Sequence, residues 1–427
     1  MYAKSVAVYD FKCFGKAEVE LRYPGGSGET ELEHPNINLI LGDNGGGKSS
    51  VLRAIAIAAL APALISGGFV AYRLVRRDAN GGIASNCLVK LLGVLDDTER
   101  LGSATKGGKG AKTSASRPRE FLARLKASPT SQIDRLTLES TPENPISDLI
   151  YDDASPAFFV VGYGATRRVE TGSVSTSSED KRRGRRYQRV ASLFEDHIAL
   201  RPLQSWFPQL SEPRKSEVIA LLAKALPDSI RFTGAMEGDD YVFSFDGVPT
   251  PLPALSDGYK AFAGWVSDLV GHMVSVAQGR PLSDLSGIVL VDEIDLHLHP
   301  SWQRDVVARL SQAFPRFQFV FTSHSPLVAT SVQSQNVVVT GTDAAGRPIL
   351  ERMTETLYGR SIEAVLMSPY FKLDSPRPAG ARAATQALAA KVAETPGGDL
   401  DAAEAFLKQL GDPLERMRND GPLSKRG

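Results

Sequence analysis

The sequence predicts an α/β fold, a mixed sheet covered by helices with a helical lobe inserted in the chain, and three observations predict it. Ile37 to Leu41 is an apolar run that breaks at Gly42 and gives way to helical periodicity from Ser49 to Ile65, so strand, glycine loop and helix follow one another. Ile288 to Val291 and Phe317 to Phe321 are short, nearly continuous apolar runs, the pattern of central parallel strands covered on both faces. Ser5 to Tyr9 reads as a strand, and Ala17 to Leu21 alternates as its hairpin partner.

The remaining elements follow in order. Phe158 to Val161 reads as a buried strand ending at Gly162-Tyr163-Gly164. Ala191 to Leu226 reads as short helices with Trp206 and Phe207 as core anchors, and Ile230 to Phe232 pairs with Tyr241 to Phe243 as a hairpin. A helix is expected from Ala261 to about Val274, a weaker strand pair at Val337 to Val339 and Ile349 to Leu350, and a helix at Ser361 to Leu366. Beyond Pro376-Arg377-Pro378 the chain is Ala-rich and helical in pattern, with Glu404 to Leu410 an amphipathic piece. Ser103 to Arg119 and Glu170 to Arg189 lack the apolar residues that offset ordering entropy and are expected to be poorly ordered. The expected organisation is a head over residues 1–372, a helical lobe inserted at about 168–275, and a helical tail over 373–427.

With 427 residues the chain can bury a sizeable core, as one large α/β domain or two ordinary ones. Hydrophobic residues make up 42% and charged residues 23%, an ordinary globular composition. The formal net charge of zero excludes a global field drawing the chain to nucleic acid or an acidic membrane, so any such affinity rests on local patches. Cys13 and Cys87 allow at most one bridge and, with no N-terminal signal segment, read as reduced thiols of a cytoplasmic protein. The apolar stretch Ile55 to Ile65 is too short to span a bilayer, and no membrane partner is expected.

Four segments carry chemistry. Gly42-Asp43-Asn44-Gly45-Gly46-Gly47-Lys48-Ser49 matches the Walker A pattern G-x-x-x-x-G-K-[ST]. Its glycines let backbone N–H groups curl around a β-phosphate, Lys48 reaches the β and γ oxygens, and the Ser49 hydroxyl takes a Mg²⁺ position. Asn44, Gly45, Gly46, Gly47, Lys48, Ser49 and Ser50 are the candidate ATP-binding residues here, and the following helix points its partial positive charge at the phosphates. Ile288 to Val291 followed by Asp292-Glu293 is a Walker B pattern, with Asp292 to hold Mg²⁺ through water and Glu293 to polarise the attacking water. Leu255-Ser256-Asp257-Gly258 precedes a helix and offers a second anion-binding surface through Ser256 and Gly258; the alternative is an ordinary N-cap. Thr322-Ser323-His324-Ser325-Pro326 delivers an imidazole to the same sheet edge as the acids, where His324 can hydrogen-bond a γ-phosphate. His297 and His299 lie near no cysteine in a chain with six histidines, and they are not read as a zinc site.

In this order the motifs resemble those of ABC-class ATPases, and details narrow the resemblance to the SMC/RecF-like branch. Tyr9-Asp10-Phe11-Lys12-Cys13-Phe14 is similar to that branch's opening motif, whose basic residue approaches the nucleotide phosphates, which implies that role for Lys12. Gly42-Asp43-Asn44-Gly45 and Leu255-Ser256-Asp257-Gly258 resemble its Walker A and signature forms. Asp292 to Pro300 and Thr322 to Pro326 resemble the acidic-HLHP and histidine-switch segments of small bacterial ATPases related to the overcoming-lysogenization-defect and Septu-type defence proteins. The resemblance covers roughly residues 1 to 370. It implies a two-lobed head that dimerises head to tail, with ATP between Walker A of one subunit and the signature of the other, so that Ser256 and Gly258 serve the partner's nucleotide. Two departures stand out. Where the family has a glutamine near Mg²⁺, this chain reads Val161-Gly162-Tyr163-Gly164-Ala165-Thr166-Arg167, and residues 168–254 hold no sustained heptads to form long arms.

The resemblance implies an ATP-hydrolysing sensor or regulator of anti-phage defence, working as a homodimer or higher homo-oligomer with a separate nuclease or toxin effector. The alternative is a RecF-like DNA-repair ATPase, with Lys181 to Arg189 as the DNA contact through phosphate neutralisation. A transporter motor is a third class, disfavoured by the missing glutamine and the SMC-type opening.

Overall fold

Alternation builds the N-terminal hairpin. Strand β1 (Tyr2–Phe11) turns back into β2 (Phe14–Glu20), whose Phe14, Ala17 and Val19 are buried while Lys16, Glu18 and Glu20 face out. The structure is a computed structural model that describes residues 1–26, 32–78, 80–96, 99, 119–139, 150, 153, 155–169, 184–344, 346–352, 354–371, 373 and 375, with isolated positions from 380 to 390. The low-complexity stretch read at 103–119, apart from Arg119, and the part of 170–189 up to Arg183 lie outside these residues, as does nearly all of the expected tail with Glu404 to Leu410.

Strand β3 (Ile37–Leu41), buried throughout, runs into the glycine loop and helix α1 (Lys48–Ser66). Strands β4 (Cys87–Val94), β5 (Glu120–Pro129) and β6 (Asp134–Leu138) extend the hairpin into a five-stranded antiparallel sheet in the order β2-β1-β4-β5-β6. After β7 (Val160–Tyr163) come α2 (Arg185–Gln188), several single 3-10 turns and α3 (Glu212–Ala225). The expected helical lobe also contains a sheet of its own, an antiparallel meander of β8 (Ile230–Glu237), β9 (Asp240–Phe245) and β10 (Val248–Pro251). Within it Phe232 stands opposite Phe243, and Trp206 and Phe207 are buried, Phe207 edge-on to the Phe232 and Tyr241 rings.

Helix α4 (Asp257–Val276) then leads to β11 (Gly287–Val291), α5 (Pro300–Ala313), β12 (Phe317–Ser323), α6 (Pro326–Thr330), β13 (Val337–Thr342) and β14 (Pro348–Glu351). The second large sheet has the order β14-β13-β3-β12-β11-β7, parallel throughout except for β14. Strands β3, β11 and β12 are buried along their whole length, which is why their sequences do not alternate.

Helix α1 belongs to the core shared by the two large sheets. Leu52, Ile55, Ile57, Leu60 and Leu64 are fully buried together with Val6, Val89 and Leu125 of the antiparallel sheet and Ile40, Leu290 and Val320 of the parallel one. A helix apolar on every face belongs inside a core, and burying each Leu or Ile contributes ~1.5–3 kcal/mol. By length and composition α1 could cross a membrane, and its burial here is that of a core helix. From Glu363 onward the chain forms a second compact unit, which begins within the short helix α7 (Ile362–Leu366).

Candidate functional site

Parallel pairing brings the carboxyl ends of the strands together. Leu41 pairs with Ser323, and Val291 pairs with both Phe321 and Tyr163, so the glycine loop, Asp292-Glu293 and His324 leave the sheet along one edge. There they surround a cleft of about 500 Å³. Asn44, Gly45, Gly47, Lys48, Ser49 and Ser50 line it from the loop and α1, Lys12 from the β1–β2 turn, and Glu293 and His324 from the ends of β11 and β12. Asp292 is buried directly beside them.

The loop geometry explains two of its glycines. Gly47 precedes α1 at φ 92°, and a Cβ there would strike the Phe14 ring and the Cys13 sulfur. Gly42 has φ 142° and sits against the Thr340 hydroxyl of β13, which leaves no room for a side chain. Lys48 Nζ donates to the Gly42 and Asp43 carbonyls at 2.9 and 3.0 Å. Burial pulls the Lys48 pKa down, and Asp292, Glu293, Asp43 and Asp295 push it back up.

Thr322 organises the acidic pair. Its hydroxyl donates to Asp292 Oδ1 at 2.5 Å and accepts the Glu293 N–H at 2.7 Å. Glu293 itself is left-handed, with φ 50°. Arg167 donates to the Asp292 carbonyl at 3.1 Å and to the Glu293 carbonyl.

Sequence reading missed several cleft residues. Arg53, Arg73 and Arg77 also line it, so Lys12, Lys48 and these arginines face one acid, Glu293. Arg53 is held by its Nε–H on the Leu193 carbonyl at 2.7 Å. Arg73 and Arg77 arrive on a segment bonded to the end of β1 and pinned by buried Asp134, which accepts the Leu74 and Val75 N–H groups at 2.5 and 3.1 Å. The signal available was a run of spaced arginines, Arg73, Arg76 and Arg77, soon after the helix that follows the glycine loop. Such a concentration of cations suits a polyphosphate. Ser49 and Asp292 offer hard oxygen donors, and among the described residues no group of three His, Cys, Asp or Glu forms a metal cage. That donor set fits Mg²⁺, which binds through one carboxylate and substrate phosphates, and does not fit a metal needing a protein cage.

Ser256 and Gly258 are not brought to this cleft. Ser256 is exposed at the start of α4 and makes no side-chain capping bond, and a Cβ at Gly258 would run into the His297 carbonyl. His299 caps α5, its Nδ1 accepting the Ser301 N–H at 3.3 Å, and His297 is left-handed with φ 64°. In the basic run at 181–189, two arginines turn inward. Arg186 donates to the Ala157 and Phe158 carbonyls, both at 2.8 Å, and Arg189 lies 5.2 Å from the Phe159 ring centroid. Both are buried and serve packing, whereas Arg185 is exposed and Lys181 to Arg183 lie outside the described residues.

The fold is that of an SMC-head-like P-loop ATPase. It is similar to a solved SMC head bound to the C-winged helix domain of ScpA, with a TM-score of 0.50 and 14% identity over 83% of this chain and 98% of that one, a likeness of fold alone. Residues 172–330 match a family model described as "AAA domain, putative AbiEii toxin, Type IV TA system", and residues 5–86 match one described as "AAA domain". The chain is 23% identical over 377 residues to the Septu protein PtuA of Bacillus mycoides (strain KBAB4), covering 87% of this chain and 45% of that protein. Over 87 residues it is 45% identical to the "Retron Vc95 probable ATPase" of Vibrio cholerae serotype O1 biovar El Tor, 20% of this chain and 17% of that protein. The chain thus spans less than half the length of these curated relatives. The resemblance is to SMC-like ABC-type ATPases of defence systems.

Proposed function

We propose that this chain binds ATP with Mg²⁺ in the cleft at the strand ends and hydrolyses it, switching between open and ATP-closed dimers. In this reading it is the regulatory ATPase of an anti-phage defence system, acting in the cytoplasm with a separate nuclease or toxin effector. The observation that carries it is the convergence of Lys48, Ser49, Glu293 and His324 from three distant segments on one strongly cationic cleft.

Each residue then has a role. Lys48 leaves the loop carbonyls for the β and γ oxygens, and Lys12, Arg53, Arg73 and Arg77 neutralise the remaining phosphate charge. Ser49 and Asp292 would hold Mg²⁺, which shields the phosphates and orients the γ-phosphoryl group. Glu293 draws the proton from the attacking water, and His324 donates to the γ-phosphate as charge builds on it. Ser256 and Gly258 meet the nucleotide of the partner subunit.

Steady-state hydrolysis and light scattering test the reading. Lys48→Ala should abolish ATP binding. Glu293→Gln should keep binding, lower kcat by roughly 100-fold or more, and accumulate a dimer with ATP. Turnover by Glu293→Gln at the wild-type rate would remove Glu293 as the base. For the defence role, cells carrying the intact operon should resist phage, and the Lys48→Ala operon should not.

A further inference from the structure

Arg167 stands on the loop leaving β7, in the stretch where the resemblance implies a glutamine. It is 6% exposed and does not line the cleft. A guanidinium taken out of water is costly unless its surroundings compensate it. Burial pulls its pKa down to about 10, while Asp295, Asp292 and Glu293 push it up, so it stays charged at neutral pH. Its hydrogen bonds go to two consecutive backbone carbonyls, those of Asp292 and Glu293.

The conformation of Glu293 gives that placement a purpose. A residue bearing a Cβ at φ 50° is held in a sparsely populated region and persists there only where the surroundings fix it. Here the peptide is gripped on both sides, its N–H by Thr322 Oγ1 at 2.7 Å and its carbonyl by Arg167. Arg167 also holds the preceding carbonyl, so the whole turn after β11 is braced from behind while the Glu293 side chain lines the cleft in front.

We infer that Arg167 is a positioning residue for Glu293, fixing the left-handed turn that aims the carboxylate at the attacking water while itself touching neither nucleotide nor metal. This rests on the proposed ATPase function. The test compares the whole chain with Arg167→Gln and Arg167→Lys, measuring kcat, KM and the affinity of a fluorescent ATP analogue with Mg²⁺. Arg167→Gln should lower kcat by about 10- to 100-fold, the scale of a roughly 1 Å misplacement, and leave KM and analogue affinity within about twofold. Arg167→Lys, which keeps one charged donor, should fall between the two and carries the test if Arg167→Gln does not fold. Added to Glu293→Gln, the Arg167→Gln change should bring no further loss in single-turnover rate, because both remove one function. Wild-type kcat in either folded variant, a matching loss of nucleotide affinity, or an additive loss in the double variant overturns the inference while leaving the ATPase reading intact. A wild-type protein with no turnover fails the ATPase reading itself, and the inference falls with it.

Discussion

Thr322 grips the acidic pair from the sheet side, with one hydroxyl serving two neighbours. It donates to Asp292 Oδ1 and accepts the Glu293 N–H, and its own carbonyl accepts the Ile294 N–H at 2.9 Å. Thr322→Val keeps the branched shape and removes both hydroxyl bonds, leaving a buried carboxylate and a buried N–H short of a partner. The expected result is kcat lower by at least about tenfold, with stability reduced by ~1–3 kcal/mol in a denaturant melt. Unchanged kcat would mean that Asp292 and Glu293 are oriented by something else. At this scale Lys48, Ser49, Glu293 and His324, each marked by a local pattern, all line the cleft, whereas Ser256 and Gly258, marked in the same way, do not. Arg53 was not legible, because no spacing marks it, and the close set Arg73, Arg76 and Arg77 does not by itself say which of its members reach the cleft. Arg53 reaches the site through the turn of α1, and Arg73 and Arg77 reach it because backbone bonds tie their segment to the end of β1 while Asp134 of β6, some 60 residues downstream, holds the Leu74 and Val75 N–H groups.

At the scale of elements, β7 and α4 are tied by a buried polar contact. Tyr163 donates to Asp268 Oδ2 at 2.7 Å, the Arg201 N–H donates to Oδ1 at 2.7 Å, and His272 Nε2 lies 3.4 Å from Oδ2. Burial pushes the Asp268 pKa up to about 6, against the hydrogen bonds from Tyr163 and Arg201 and the Arg201 charge. Since the folded pKa lies above the unfolded one, the native state binds more protons between about pH 4 and pH 6, and stability from this group falls as pH rises through that window. His272 is held well below its ordinary pKa by burial and by the Arg201 and Arg189 charges, so its contribution runs the other way. Melting temperature measured from pH 4 to 6 should therefore show wild type losing ground to Asp268→Asn as pH rises; a constant gap would mean Asp268 keeps an ordinary pKa. Helix α1 makes a simpler case. Ile55→Ala opens a cavity in the shared core and should lower unfolding free energy by ~2–5 kcal/mol. The strands of the parallel sheet were readable because full burial writes a continuous apolar run. Strand β4 was not: Cys87, Val89 and Leu91 face the core, but Leu88 and Leu92 on the outward side break the alternation.

At the scale of the whole molecule, one chain does not bring Ser256 and Gly258 to its own cleft. Lys48 lines the cleft, while Ser256 is exposed at the N-terminus of α4 beside the His297 loop. An exposed serine at the positive end of a 20-residue helix suits an anion arriving from outside. If that anion is the γ-phosphate bound by a second copy, two inactive variants should repair each other. Lys48→Ala removes the phosphate grip and keeps the signature. Ser256→Glu keeps the grip and puts a repelling carboxylate where the partner's phosphate arrives, at a helix N-terminus that tolerates negative charge. Each variant alone should turn over ATP at under about a tenth of the wild-type rate, the scale of losing one charge-directed contact. Mixed in equal amounts and pairing at random, half of the dimers join unlike chains, and each of those holds one composite site with both parts intact. Activity should then rise to roughly a quarter of the wild-type rate per chain, if the two sites of a closed dimer act independently. Recovery should grow with total protein concentration and vanish on dilution, as a dimer requires. A mixture no more active than its two components, at concentrations where wild type dimerises with ATP, would place the role of Ser256 within its own chain.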